Sequence, residues 1–361
     1  MLWFVGTGIN GYRGLSIAAL DVLKKCDIVY VERFTSALSE DYLHGLNSLL
    51  IEVHAKPMQR CVQRWFVEDG REILEAARTK DVAIVTYGDP LIATTHSELR
   101  SRAAKKSIKT GVLHAASGIA SIIGEGGLHV YKFGRIVTMM SEFHSALSVY
   151  NTIFENLLAG SHTLILTEYS HDNESKEPFF LDPASVFKML LDVEREQKHQ
   201  IFSDDTFAVV ASRVGMQDQK ITSGKVISLM RVDFGSGPHS VIVTGALHFT
   251  ETEALASLTE NIDAPADNSQ NTKRIEAQMI ERYAPKAKQA VQQMRKLINQ
   301  DTGSNKGIFE VLDNAECYIA DAERFLRQGK FELAVLSIGY AEGLLDALHF
   351  QKGINPWDAH G

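Results

Sequence analysis

Gly88-Asp89-Pro90-Leu91-Ile92-Ala93-Thr94-Thr95-His96, with His114-Ala115-Ala116-Ser117-Gly118 one strand later, is the string from which the architecture can be read. Ahead of it, Asp81-Val82-Ala83-Ile84-Val85-Thr86 is a short apolar run of strand type. Behind it, residues 95–106 carry helical character, with Thr94 or Thr95 available as a cap. Strand, Gly-Asp-Pro, helix places a tight turn at the carboxyl end of a sheet strand, where open α/β sheets bind their ligands. Such a turn offers backbone N–H groups, one carboxylate and a proline that stiffens the chain. Taken alone, the same string is also compatible with an ordinary βα loop.

Around this turn, candidate strands at 2–6, 27–31, 49–53, 81–86 and 109–114 alternate with candidate helices near 15–25, 37–47, 66–79 and 95–106. The alternation predicts a parallel sheet covered on both faces, an N-terminal α/β domain over 1–114. A second α/β domain is expected over 115–262, with strands at 135–139, 162–168, 206–213 and 239–244 and helices near 145–159 and 183–197. Residues 170–182, polar around His171-Asp172-Asn173-Glu174-Ser175, are expected to form an exposed loop. Neither unit is large enough to stand without the other, so a ligand cleft is expected between them.

Beyond residue 262 the pattern changes. Residues 263–271 read as a polar linker, and 272–361 as a helical domain with helices over 272–299 and 307–350. Ala315, Ile319, Ala322 and Leu326 share one helical face, and Ala334, Ile338, Ala341 and Leu345 another. Gln328-Gly329 between the two runs predicts an antiparallel helical hairpin.

A chain of 361 residues suits two or three domains. Acidic residues outnumber basic ones by 45 to 37, which leaves no basic footprint for bulk nucleic-acid binding. Cys26, Cys61 and Cys317 lie far apart, with neither zinc-site spacing nor a disulfide framework. Leu2-Trp3-Phe4-Val5 is too short for a signal-peptide core, and no apolar run approaches the roughly 20 residues of a membrane span. A cytoplasmic protein with no membrane partner is the expectation.

Gly6-x-Gly8-x-x-Gly11 follows an apolar strand, and Glu32 sits near the offset at which a dinucleotide site places its ribose acid. Tyr12-Arg13 intrude before the helix and lengthen the loop, which counts against that reading. His96, His114 and His239 fit no metal-site spacing. For His96 and His114 a hydrogen-bonded structural role is expected.

The stretches Gly6-Thr7-Gly8, Glu32-Arg33-Phe34-Thr35-Ser36, Gly88 to His96, His114 to Ser117, Gly127 to Gly134, Asp204-Asp205-Thr206, Asp233-Phe234-Gly235, Pro238-His239 and Gly245 to Phe249 occur in an order that matters. In that order they resemble the tetrapyrrole-methylase-like S-adenosylmethionine methyltransferases. More narrowly, residues 1 to about 258 are similar to the diphthine synthase family. The resemblance implies a two-domain class III methyltransferase fold with S-adenosylmethionine in the interdomain cleft and S-adenosylhomocysteine as by-product. By position it implies cofactor contacts from Ile9, Asp89, Ile92, Ser117, Gly118, Thr167, Val214 and His239. The Asp89 carboxylate would pair with the cofactor's ammonium or cap its own turn, and the two roles are compatible. Ala116 replaces a common proline, Gly118 a bulkier apolar residue, and Thr167 a frequent leucine.

The implied reaction is successive methylation of the amino nitrogen on a 3-amino-3-carboxypropyl histidine of translation elongation factor 2. Archaeal relatives stop at the trimethylammonium product, diphthine, and eukaryotic ones add a methyl ester. Phe34, Tyr87 and Phe133 are candidate aromatic liners for the growing cation, and the partly neutral amine needs no dedicated general base. A homodimer is implied, as in relatives. The C-terminal helices resemble a small archaeal helical domain of uncharacterised function. Their separate linker and hairpin pattern suit a docking surface for the protein substrate, and equally a brace for the dimer or a site for something unrelated. Two alternatives stay open: a methylase of the same fold acting on a tetrapyrrole such as uroporphyrinogen or precorrin, and a non-catalytic scaffold that recruits a partner.

Overall fold

The computed structural model describes residues 1–35, 38, 40–54, 59–170, 178–269, 272–299, 306–353, 355 and 357. The centre of the expected exposed loop (171–177), the end of the expected linker (270–271) and positions 37 and 39 of an expected helix lie outside these residues.

The first lobe runs β1 (Leu2–Gly6), α1 (Ile17–Leu23), β2 (Ile28–Glu32), α2 (Glu40–His54), β3 (Gln59–Val62), α3 (Arg64–Asp69), α4 (Arg71–Ala76), β4 (Val82–Thr86), α5 (His96–Lys105) and β5 (Thr110–Leu113). Its five strands pair in the order β3-β2-β4-β1-β5, all parallel. Side chains alternate across each strand, so Phe4, Val82 and Ile84 enter one apolar layer while Val5, Ala83 and Val85 enter the other. Every residue of β4 is buried, as a central strand covered by helices on both faces requires.

Two local expectations fail. The run at 49–53 is not a strand but the last turns of α2, where Leu43, Leu46 and Leu50 recur at helical spacing on the core side. A short apolar run alone does not separate strand from helix. The edge strand is instead Gln59–Val62, polar in composition because only one of its sides is paired. The helix expected over 66–79 is broken at Gly70, whose φ of +59° ends α3 before α4 begins.

The second lobe runs α6 (Gly118–Glu125), β6 (Val137–Met139), α7 (Phe143–Leu158), β7 (Thr163–Thr167), β8 (Tyr169–Ser170), β9 (Phe179–Phe180), α8 (Pro183–Gln197), β10 (Phe207–Ser212), β11 (Lys220–Lys225), α9 (Val226–Leu229), β12 (His239–Val243), α10 (Phe249–Leu258) and β13 (Glu260–Asn261). Its sheet has the order β13-β11-β10-β12-β7-β6 and is mixed, with β10 antiparallel to both neighbours. Strand β11 (KITSGK) escapes the sequence pattern because its composition is polar, although its four central residues are buried.

A buried carboxylate organises one end of this lobe. Glu251 in α10 accepts the backbone N–H groups of His129 and His248 (both 2.8 Å), the Lys132 ammonium (2.5 Å) and Nε2–H of His162 (3.1 Å). Nδ1 of His162 takes the N–H of Gly245 (2.8 Å), which places that ring's proton on Nε2. The Lys132 ammonium also reaches the carbonyl of Ala246.

By compactness the chain divides into Met1–Thr272 and Lys273–Gly361. The described part of the expected linker is fastened to the first unit. The Asn268 amide accepts from the Phe207 N–H (2.9 Å) and donates to the carbonyls of Phe207 and Thr244 (2.8 Å each), and Asp263 accepts from the Lys225 N–H (2.9 Å). In the second unit α11 (Ile275–Asn299), α12 (Lys306–Arg327) and α13 (Phe331–Lys352) enclose a core containing Ala315, Ile319, Ala322, Ala334, Ile338, Ala341 and Leu345. The turn between α12 and α13 falls at Gln328-Gly329. Helix α13 is long and apolar enough to cross a membrane by length and composition, yet one of its faces is spent on this core.

Candidate active site

Strand order sets the site. Because β4 and β1 are neighbours, the loops leaving their carboxyl ends run side by side. Gly8 and Gly88 exchange backbone hydrogen bonds, N–H to O distances being 3.2 and 2.9 Å. The chains approach so closely that a Cβ on Gly6 would stand 2.5 Å from the Gly88 carbonyl oxygen and 2.9 Å from Pro90 Cδ. Gly6→Ala is therefore expected to destabilise the protein by about 1–3 kcal/mol, the usual cost of overpacking. A urea midpoint equal to wild type would show that these loops can part.

The same contacts remove the dinucleotide reading. The Gly8 N–H is spent on Gly88, and α1 starts only at Ile17, capped by Ser16 Oγ on the Ala19 N–H (3.1 Å). Glu32 folds back to accept the N–H groups of Phe34 and Thr35 (3.0 Å each), and burial pushes its carboxyl up to about 7.

A cavity of about 530 Å³ opens between the strand ends of the two lobes. Ile9, Asp89, Ile92, Ser117, Gly118, Thr167, Val214 and His239 all line it. They come from the loops after β1, β4 and β10, the start of α6 and the facing ends of β7 and β12. Ile9, Ile122, Leu166, Ala211 and Val214 form an apolar wall.

Asp89 is 6% exposed and holds two loops together. Oδ1 accepts the Leu91 N–H (3.0 Å), while Oδ2 accepts the Ala115 N–H (3.3 Å) and lies 2.8 Å from His114 Nδ1. It thus caps its own turn and fixes the strand exit that leads to Ser117. A carboxylate offers about four lone-pair positions, so acceptor capacity toward the cavity remains. Ala93 in the same loop has φ +55°, a left-handed conformation uncommon for a residue with a Cβ.

The histidines are wall and scaffold. His96 is fully buried, with Nδ1 against the Pro90 carbonyl (3.0 Å), and burial lowers its pKa. His239 places Nδ1 on Ser212 Oγ (3.0 Å) and Nε2 on the Gly235 carbonyl (3.2 Å), and burial holds it neutral as well. Its carbonyl accepts the Thr167 hydroxyl (2.8 Å), which gives the threonine in place of leucine a function of its own: it ties β7 to the entry of β12. Gly118 has open space around its Cβ direction.

Phe34 and Tyr87 line the cavity, but Phe133 does not. Its ring packs edge-on against His162 at 5.3 Å, on the side organised by Glu251. Tyr169 and Phe180, with ring centres 5.1 Å apart on the β8–β9 ribbon, are liners that the sequence did not reveal. The Tyr87 hydroxyl donates to the Ile9 carbonyl (2.7 Å) and that of Tyr169 to the Arg33 carbonyl (3.3 Å). Burial pushes both phenols up to about 12, so neither serves as a base near neutrality. Arg64 and Glu168 are further polar liners that sequence reasoning missed.

Residues 1–229 match the family model described as Tetrapyrrole (Corrin/Porphyrin) Methylases. The chain belongs to this methylase family. The methylase is 34% identical over 264 residues to the diphthine synthase of Methanocaldococcus jannaschii, covering 73% of this chain and 100% of the relative. It is 34% identical over 260 residues to that of Methanothermobacter thermautotrophicus, covering 72% and 95%. A crystal structure of diphthine synthase superposes with a TM-score of 0.60 at 27% identity, covering 72% of this chain and 96% of that one. Within the methylases the chain therefore falls in the diphthine synthase group, and it is a methyltransferase. Residues 282–354 match a separate model, Protein of unknown function (DUF357), in the helical unit.

Proposed function

We propose that this methylase transfers methyl groups from S-adenosylmethionine to the amino nitrogen of a 3-amino-3-carboxypropyl histidine in elongation factor 2, yielding diphthine within diphthamide biosynthesis. The observation that carries the reading is the convergence of Ile9, Asp89, Ile92, Ser117, Gly118, Thr167, Val214 and His239 on one cleft. Their chemistry fits the cofactor. The apolar wall of Ile9, Ile122, Leu166, Ala211 and Val214 suits a flat purine, and Asp89 supplies a buried carboxylate for an ammonium. A homodimer in the cytoplasm is part of the same reading.

The bound cofactor would supply an already activated methyl group. What remains for the protein is to hold an amine nitrogen in line with it and keep water away. With an α-amino reference pKa of about 7.7–8.0, a sizeable neutral fraction exists near pH 7 without a dedicated base. Tyr87, Tyr169 and Phe180 offer aromatic faces that stabilise a cation as methyls accumulate, while the Phe34 ring already carries the Arg64 guanidinium. The Tyr87 and Tyr169 phenols stay protonated and keep those two faces uncharged.

The test is the intact mass of elongation factor 2 bearing the aminocarboxypropyl arm after incubation with enzyme and S-adenosylmethionine. Increments of one methyl, up to three, are expected, and uroporphyrinogen or precorrin in the same assay should stay unmodified. No mass gain on the factor would overturn the reading, and gain on the tetrapyrrole alone would replace it with the other substrate class.

A further inference from the structure

Resting on the proposed acceptor, we propose that Arg64 clamps the carboxylate of the aminocarboxypropyl arm and so presents the arm's nitrogen, not its carboxylate oxygen, to the methyl donor.

Among the described residues, the charged ones lining the cavity are Asp89, Glu168 and Arg64, since His239 is held neutral. The two carboxylates already have donors. Asp89 is engaged by Leu91, Ala115 and His114, and Glu168 Oε2 accepts the Ser141 N–H (2.7 Å). Arg64 is exposed and, among the described residues, its side chain makes neither a hydrogen bond nor an ion pair, its charge acting only at longer range on the buried Glu32 carboxyl. Its guanidinium carbon lies 5.4 Å from the centre of the Phe34 ring. That contact steadies the guanidinium without using its N–H groups, which leaves a planar fork available for two parallel bonds to a carboxylate.

The platform is itself fixed. The Phe34 backbone N–H is bonded to the buried Glu32, and the Tyr169 hydroxyl ties the β8–β9 ribbon to the preceding residue, Arg33. Arg64 and Phe34 are not among the eight positions read as cofactor contacts, so they remain for the acceptor.

The arm carries an amine and a carboxylate on one carbon. Its carboxylate would enter a cavity that already holds Asp89 and Glu168, and without a cation that approach is repelled. A carboxylate oxygen is also a competing methyl acceptor that would give an ester. Two hydrogen bonds from Arg64 engage its lone pairs and turn the nitrogen the other way.

The discriminating experiment uses the full chain and a synthetic peptide around the modified histidine, made with the arm as free acid and as carboxamide. Wild type is expected to prefer the acid by about 10–100-fold in kcat/KM, the scale of hydrogen bonds to a charged group. Arg64→Gln should collapse the preference by lowering kcat/KM for the acid far more than for the carboxamide, with S-adenosylmethionine affinity kept by calorimetry. Arg64→Lys, with the charge but no fork, should restore part of the preference. A variant that still prefers the acid, or one that loses both substrates equally, would overturn the assignment alone. Wild type that methylates neither peptide nor the modified elongation factor would instead sink the proposed function beneath it.

Discussion

Replacing Asp89 by alanine is expected to weaken S-adenosylmethionine binding by about 10–100-fold, the scale of one charge-assisted hydrogen bond. The residue contributes in two ways that a second variant can separate. Its carboxylate is the buried anion facing the cleft, and its oxygens also hold the Leu91 and Ala115 N–H groups, which shape the two loops on either side. Asp89→Asn keeps the volume and an acceptor oxygen but not the charge. If the ammonium contact dominates, the asparagine variant should lose nearly as much affinity as the alanine variant while unfolding close to wild type. If loop shape dominates, Asn should bind almost normally and Ala should lose both affinity and stability. Calorimetric affinities unchanged in both variants would remove Asp89 from the cofactor site.

The largest effect on stability is expected at Glu251. Glu251→Ala leaves His162 Nε2 and two backbone N–H groups without their acceptor and Lys132 with only the Ala246 carbonyl, and disrupting a buried pair in this way costs about 3–5 kcal/mol. That is a large share of the roughly 5–15 kcal/mol by which a typical protein is stable. Although burial opposes ionisation, the Lys132 ammonium and the His248 and His129 N–H groups hold the Glu251 carboxyl down at about 2, against an ordinary 4.5. A depressed carboxyl contributes stability that is present above the unfolded pKa and lost as pH falls from about 4.5 toward 2. His162, lowered by burial, acts in the same direction at higher pH: the unfolded chain takes up its proton first as pH drops below 6.5. Urea unfolding of wild type should therefore weaken progressively from about pH 6.5 downward. In Glu251→Gln the acid limb should flatten. An unaltered pH profile in that variant would show that other carboxylates set the acid limit.

What could be read in the sequence is what is local. The apolar run of β4 and the Gly88-Asp89-Pro90 turn fall within nine residues, and hydrophobic alternation and turn chemistry suffice to place them at a sheet's carboxyl edge. The eight positions that meet in the cleft came from resemblance, because no periodicity links Ile9 to Val214. The Glu251 cluster was invisible for the same reason. Its bond to His129 spans 122 positions, and a glutamate at the start of an amphipathic helix looks like any solvated one until the opposing loop is in place. Strands β3 and β11 were missed because QRCV and KITSGK carry no apolar run. One is an edge, and the other hides polar residues inside a mixed sheet. Arg64 and Phe34 lie on either side of β3, so their meeting over the cleft needed the strand order first. Phe133 misled for the converse reason, since an aromatic residue in a matching motif carries no indication of which side of the wall it faces.

The mutual bonds between Gly8 and Gly88 make two loops from distant parts of the chain behave as one stiff lip. Asp89 extends that lip across to Ala115, so much of the first lobe's side of the cleft is set before any small molecule arrives. Little ordering entropy is then lost there on association, which favours tight capture of a compact ligand from dilute solution. On the proposed reading the acceptor arm then meets the facing side, where Tyr169 and Phe180 sit on strands only two residues long and the Tyr169 hydroxyl is tied to the Arg33 carbonyl.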